Sequence, residues 1–153
     1  MPARHNLTNM KPPAAAVRMG TDLARVQVVE DALRHFGMRY LQRIYTEREI
    51  AYCGSSPAEM PRRLAARFAA KEACIKVLRP AQRWLDWRSI EVVRQPAGWV
   101  GLALHGPARA LARRERIAQL SLSLSHEDDY AIAVVAAMVE AGHPSHRPPR
   151  KLH

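Results

Sequence analysis

Residues 65–78 read Ala-Ala-Arg-Phe-Ala-Ala-Lys-Glu-Ala-Cys-Ile-Lys-Val-Leu, a run of good helix formers with no Gly or Pro. Such a run commits its part of the chain to an α-helix, and the remaining elements must be arranged around it. Phe68, Glu72 and Lys76 recur every four residues and therefore stand on one face of that helix. A carboxylate and an ammonium one turn apart on an alanine-rich surface allow two readings. The plain one is an i,i+4 ion pair contributing about a few tenths of a kcal/mol. The sharper one is a metal-ligating carboxylate with a phosphate-binding lysine above it. The helix alone favours the first reading; the rest of the chain favours the second.

The 153 residues are enough for one compact domain with a real core, and 48% hydrophobic content suits a soluble globular protein. The longest apolar run, Ala131 to Val139, is far too short to span a bilayer, so no membrane association is expected. Met1 to Ala16 has no apolar segment of the kind a secretory signal needs. Cys53 and Cys74 offer neither a disulfide framework nor metal-ligand spacing, and a reducing, cytoplasmic setting is expected. The net charge is +10, but Arg4, Lys11, Arg147, Arg150 and Lys151 lie in acid-free ends, leaving +5 on residues 17–140. A moderately basic fold fits a nucleic acid, an anionic cofactor or an acidic protein partner, and charge alone does not choose among them.

The pattern predicts a short strand over 17–22 and a helix over 23–36, stopped by Gly37. Tyr40–Tyr45 leads into Thr46-Glu47-Arg48-Glu49, a capping-box signature for another short helix. The long helix is expected from about Ala58 or Pro61 to Leu78, stopping at Pro80. Two strands, 89–93 and 99–104, follow, joined through Gln95-Pro96-Ala97-Gly98 as a hairpin. A basic helix is expected over 107–119, then an alternating strand over 120–125 and a last, fully buried strand over 130–139. Residues 1–16 and 141–153 are expected to be disordered extensions, with His143 and His146 in the second. The fold class is α+β, with helices wrapped around a small, mostly antiparallel sheet.

Three separated pieces carry the chemistry. Gly20-Thr21-Asp22 ends the first strand with a carboxylate; Arg67-Phe68-Ala69-Ala70-Lys71-Glu72-Ala73 supplies a second carboxylate; Ser123-Leu124-Ser125-His126 ends a late strand. In this order and spacing the chain resembles the holo-[acyl-carrier-protein] synthase family, the small 4′-phosphopantetheinyl transferases. That family opens with a Gly-x-Asp strand and carries an "RIxTxxE" stretch, here Arg43 to Glu49, then "RFAAKEAxxK", here Arg67 to Lys76. It closes with Ser-x-(Ser/Thr)-His and "A-x-A-x-V", here Ala131 to Val135. The match covers roughly residues 17–139.

The resemblance implies transfer of phosphopantetheine from coenzyme A to a serine of an apo acyl carrier protein, with Mg²⁺, releasing 3′,5′-ADP. Asp22 and Glu72 would be the metal ligands and Lys76 would neutralise diphosphate charge, these three forming the catalytic set. Arg67, Lys71, Ser125 and His126 would contact the cofactor. Glu72 and a metal-bound water are both open as the base for the serine proton. The family's sites lie between subunits of a homotrimer, so His126 and the Asp22/Glu72 pair could come from different chains. Acyl carrier proteins are acidic, and the helix after Asp22 docks on them in this family; Arg25, Arg34, Arg39 and Arg43 would do so here. Where the family has Glu and a basic residue three and six positions after the metal Asp, this chain has Arg25 and Val28. Its Gly-rich loop after the long helix is replaced by Arg79-Pro80-Ala81-Gln82, and its Gly-Lys-Pro by Gly98-Trp99-Val100. These departures leave room for a transferase specialised for one fatty-acid or polyketide synthase carrier protein. The alternatives are a small basic nucleic-acid-binding protein, weakened by few aromatics and no recognised motif, and a non-catalytic family member.

Overall fold

The structure, a computed structural model, describes residues 15–81 and 84–142. Strand β1 (Ala15–Arg25) is followed by three short helices, α1 (Val26–Phe36), α2 (Met38–Ile44) and α3 (Glu47–Gly54). The long helix α4 (Met60–Leu78) leads to a hairpin of β2 (Ile90–Arg94) and β3 (Val100–Leu104). Helix α5 (Gly106–Arg114) then precedes β4 (Ile117–His126) and β5 (Tyr130–Glu140). The class is α+β as expected, and every pairing is antiparallel, but the strands form two sheets: β1-β5-β4 and β2-β3.

Helix α4 packs across the three-stranded sheet and is the core of the protein. Pro61 occupies its first turn, where a missing N–H costs nothing, and Arg79 closes it in the left-handed region (φ 51°) just before Pro80. Ala65, Ala66, Ala69, Ala70 and Ala73 are all buried along it. Their small side chains let the sheet approach closely, and Gly20 completes the contact: a Cβ there would lie 2.1 Å from the Ala73 carbonyl oxygen. The capping box of α3 is present, with Thr46 Oγ accepting from the Glu49 amide and the Glu49 carboxylate from the Thr46 amide. Cys53 and Cys74 are buried, and burial pushes their thiols up to about 11 and about 12, so both behave as small hydrophobes. Among the described residues no helix is long and apolar enough to cross a membrane.

Four expectations are corrected. The first strand continues to Arg25, because Leu23, Ala24 and Arg25 pair with Ile132, Ala131 and Tyr130, and the helix begins only at Val26. Arg25 therefore belongs to a strand end, not to the following helix. The basic helix stops at Arg114; Arg116 adopts φ 59° and hydrogen-bonds Glu140 backbone oxygen, so the chain reverses into β4 at Ile117. β5 is not buried on both faces. Ala131, Ala133, Val135 and Ala137 face α4, while Ile132 and Met138 are 41% and 47% exposed, because helices cover one side of the sheet only. Finally, Ala15 and Ala16 pair with Glu140 and Val139 inside the sheet. The rest of the expected extensions, with His143 and His146, lies outside the described residues.

Candidate active site

The close seam between β1 and α4 brings two of the motifs together. β1 presents Asp22 two residues beyond the Gly20 contact, and α4 presents Glu72 and Lys76 on successive turns. Lys76 Nζ donates to Asp22 Oδ1 at 3.0 Å and to the Thr21 carbonyl oxygen at 2.7 Å. Its i,i+4 spacing to Glu72 made a simple ion pair the plain reading, yet the lysine reaches across to the strand. Glu72 is half-buried. Burial pushes its carboxyl group up, the nearby Asp22 charge pushes it further, and Lys76 partly relieves it. Two carboxylates close enough for their charges to interact, beside one ammonium, form an oxygen-rich pair that gains from a cation.

A cleft of about 520 Å³ opens beside Glu72, lined by Arg43, Glu72, Ile75, Trp84, Leu85, Asp86 and Trp87. Its floor is firm: Trp87 stacks on Phe68, one turn before Glu72, with ring centroids 5.2 Å apart. The Asp86 carboxylate caps the short 3₁₀ turn Trp87–Ser89 by accepting from the Arg88 amide. Arg43 of α2 thus joins the site, whereas Arg34 and Arg39 stand exposed on α1 and α2, Arg34 paired with Asp31 at 3.2 Å. Exposed Val28, Phe36 and Met38 lie in the same helical segment.

Lys71 does not join the site. It is fully buried, its Nζ 2.8 Å from Glu49 Oε2, and it also donates to the backbone oxygens of Trp87 and Ile90. Glu49 in turn accepts from the amides of Thr46 and Val92. Desolvation lowers the lysine's affinity for its proton and the Glu49 carboxylate raises it again. This pair ties α3, α4 and the start of β2 together, so the phosphate contact expected of Lys71 is withdrawn: no face of its ammonium reaches solvent. From sequence Glu49 reads only as a cap, and its pairing with Lys71 is hidden because the two lie 22 positions apart along the chain.

Arg67 is also buried, but differently. Its Nε finds no hydrogen-bond partner among the described residues, and its guanidinium lies 4.4 Å from the Tyr52 ring centroid. Arg63 and Arg94 approach the same ring at 5.0 and 5.8 Å, and Arg94 donates to the Tyr52 hydroxyl. A cavity of about 160 Å³ adjoins them, lined by Arg48, Tyr52, Arg67, Glu91 and Arg94 among others. Three guanidiniums around one phenol gather positive charge there, with Glu49 and Glu91 as the carboxylates on the cavity lining. Tyr52, Arg63 and Arg94 were missed from sequence, where only the basic charge of the fold hinted at them.

Ser125 and His126 lie elsewhere in the chain's own fold. They end β4, which is separated from β1 by β5: Ser125 pairs with Ile132, which pairs with Leu23. Two strand spacings, about 10 Å, therefore part them from the Asp22 strand. Both are exposed, and Ser125 lies on the uncovered face of the sheet.

The sequence model of the 4′-phosphopantetheinyl transferase superfamily matches residues 18–135. The chain is 40% identical over 121 residues to a holo-[acyl-carrier-protein] synthase of Gloeobacter violaceus, covering 79% of this chain and 92% of that protein. It is 42% identical over 132 residues to the synthase of Chloroflexus aggregans, covering 79% and 94%. Among solved structures, the ACPS–CoA complex of Chronobacterium ammoniagenes matches with a TM-score of 0.73 and 27% identity, covering 82% of this chain and 99% of that one.

Proposed function

We propose, starting from the fact that this chain belongs to the holo-[acyl-carrier-protein] synthase family of 4′-phosphopantetheinyl transferases, that it transfers phosphopantetheine from coenzyme A to a serine of an apo acyl carrier protein. The observation that carries the reading is the meeting of Asp22, Glu72 and Lys76 at the seam of β1 and α4, with Glu72 also lining a cleft. In the reaction the serine Oγ forms a bond to the phosphorus bearing pantetheine, the bond from that phosphorus to the bridging oxygen breaks, and 3′,5′-ADP leaves. Lys76, half-exposed, is placed to meet diphosphate oxygens and to offset the charge that builds on the leaving group. Burial and the Asp22 charge raise the affinity of Glu72 for a proton, which suits it to take the one released by the serine.

The donor set fits Mg²⁺. Among the described residues no group of three or more His, Cys, Asp and Glu converges, so Asp22 and Glu72 would hold the ion with phosphate oxygens and waters completing it. When bound it supplies charge neutralisation at the diphosphate. The arginine cage at Tyr52, which holds Arg67, is assigned to the nucleotide end of coenzyme A, since guanidiniums give phosphate oxygens charge-assisted donors.

A homotrimer with shared sites is part of the proposal. By register, Val17 and Met138, Leu23 and Ile132 share the uncovered sheet face with Ser123 and Ser125, and Val17, Met19 and Leu23 are 66%, 69% and 60% exposed. A contiguous apolar face of this kind calls for a partner. A neighbouring chain seated there brings its own Asp22 pair towards Ser125 and His126, which one chain keeps apart. The arginines at 25, 34, 39 and 43 are assigned to docking the acidic carrier protein, and a cytoplasmic location goes with the free, buried cysteines. The test is incubation with coenzyme A, Mg²⁺ and a panel of apo carrier proteins, reading the phosphopantetheine mass gain. No gain on any carrier protein refutes the reading.

A further inference from the structure

Trp84 is a large, exposed side chain that the transferase reading leaves unused. It is 80% exposed, an unusual position for an indole, and it follows the Arg79-Pro80-Ala81-Gln82 segment by two residues. Trp84 and Leu85 line two clefts at once. One is the 520 Å³ cleft that reaches Glu72. The other, of about 470 Å³, is walled by Pro80, Ala81, Pro107, Ala110, Leu111 and Arg114, against α5.

The first cleft is suited to the neutral arm of coenzyme A and not to its nucleotide. Glu72 and Asp86 both face it, with Arg43 as the cation on its lining, while Ile75, Leu85 and Trp87 give it apolar walls. Anionic phosphates are better met by the guanidinium cage at Tyr52. From a phosphorus held at Glu72, the cleft offers such an arm of amides and methyl groups the Trp87 wall in the direction of Trp84. Beyond Trp84 the second cleft continues with proline, alanine and leucine, an environment for a hydrocarbon chain.

We propose that Trp84 is the specificity-determining residue at the thiol end: its indole closes the passage between the two clefts and excludes coenzyme A thioesters that carry a long acyl chain. The bonds made and broken at phosphorus are the same with or without the acyl group, and the thioester is carried across intact. What the indole decides is whether the tail has somewhere to go. Trp87 cannot serve in this way, since it is stacked on Phe68 and its turn is capped by Asp86. The inference rests on the transferase reading of the same site.

The experiment compares kcat/KM for decanoyl-coenzyme A, below its micelle concentration, with that for coenzyme A, using one apo carrier protein and Mg²⁺. In Trp84→Ala the ratio of decanoyl to free coenzyme A is expected to rise at least tenfold, because the two clefts become one. Inhibition by 3′,5′-ADP, which lacks the arm, is expected to stay unchanged. An unchanged or lower ratio in a variant with the normal circular dichroism spectrum overturns the gate. So does an unaltered protein that already uses both donors equally, or a variant whose 3′,5′-ADP inhibition weakens, since that puts Trp84 at the nucleotide end. Trp84→Leu, which keeps apolar surface with less width, decides the question by the same ratio if the alanine variant misfolds. Failure of the unaltered protein to transfer from coenzyme A sinks the transferase reading and this inference with it; normal transfer with an unchanged ratio sinks the gate alone.

Discussion

Gly20→Ala tests how the site is held together without touching a catalytic group. The added Cβ would lie 2.1 Å from the Ala73 oxygen, and 3.1 Å from both the Ala73 carbonyl carbon and Val77 Cγ2. The nearest obstructing atom is helix backbone, which cannot rotate away as a side-chain tip would. Restoring ordinary contact requires β1 and α4 to part locally by about 1 Å or more, and overpacking of this kind costs about 1–3 kcal/mol. Lys76 would feel the same separation directly, because it spans the seam at 2.7 Å to Thr21 and 3.0 Å to Asp22. A displacement of about 1 Å between catalytic groups is enough to lower a rate by roughly a hundredfold.

The expected outcome is therefore a folded but weakened protein, with kcat for phosphopantetheine transfer reduced far beyond what the lost stability explains. Urea unfolding gives the stability change; transfer assayed at low temperature, where the variant is folded, gives the rate. Gly54→Ala is the control, since a Cβ there meets nothing within 4 Å. Full activity and unaltered stability in Gly20→Ala would refute the argument that this contact sets the distance between Asp22 and Glu72.

The remaining predictions follow from the same geometry. Asp22→Ala and Glu72→Ala are each expected to abolish transfer with the unfolding midpoint little changed; near-normal turnover of both at saturating Mg²⁺ removes the metal-ligand assignment. Lys71→Met strands the Glu49 carboxylate in the core and is expected to cost about 3–5 kcal/mol of stability while leaving KM for coenzyme A unchanged; a stable variant with raised KM would return Lys71 to the phosphate. Reversing Arg34 and Arg39 to Glu is expected to raise KM for the carrier protein and flatten the salt dependence of kcat/KM, with coenzyme A affinity unaffected. Because burial and Asp22 raise the Glu72 pKa, its carboxylate takes up a proton at higher pH than an ordinary glutamate. Mg²⁺ affinity, followed by titration calorimetry, should accordingly weaken as pH falls through that range, and pH-independent binding down to the usual carboxylate values contradicts it.

What was legible in the sequence was what local physics decides. The long helix, its proline boundaries, the capping box and the hairpin depend on residues within a few positions of one another, and the structure has them all. The end of β1 does not: Leu23 to Phe36 has helical periodicity, but a ladder to β5, more than a hundred residues away, claims the first three of those residues. Burial on one face of β5 is likewise set by what covers the sheet, not by the strand's own letters. The two lysines of the central motif show where reading could have gone further. Lys71 and Lys76 are five residues apart, which on an α-helix is about 140° around the axis, so they could not both face one phosphate group. Lys76 shares its face with Glu72, and Lys71 must point elsewhere; only its partner Glu49 required the fold. Ser125 and His126 fit their motif in the alphabet but lie a full sheet width from Asp22 within one chain, a separation that strand order alone determines.

The alanines of α4 read first as helix propensity, and the structure gives them a second task. Asp has the shorter of the two acidic side chains, so a strand can share a cation with a helix through it only if the two backbones nearly touch. Here the helix offers Ala69 and Ala73, the sheet offers Gly20, Ala24, Ala131 and Ala133, and all are buried together. Larger residues along this seam would bury more apolar area and hold the core as well or better, at about 25 cal/mol per Å². They would also lift β1 away from α4 and take Asp22 out of reach of Glu72 and Lys76. Small residues at the seam thus forgo packing energy for proximity of charges. The penalty is offset by the rest of the helix, where Leu64, Val77 and Leu78 are fully buried and Lys71 is locked to Glu49. On this argument the stability of α4 and the geometry of the site are set by different residues of one helix, and substitutions at Ala69 or Ala73 should damage transfer more than substitutions of equal size at Ala65 or Ala66.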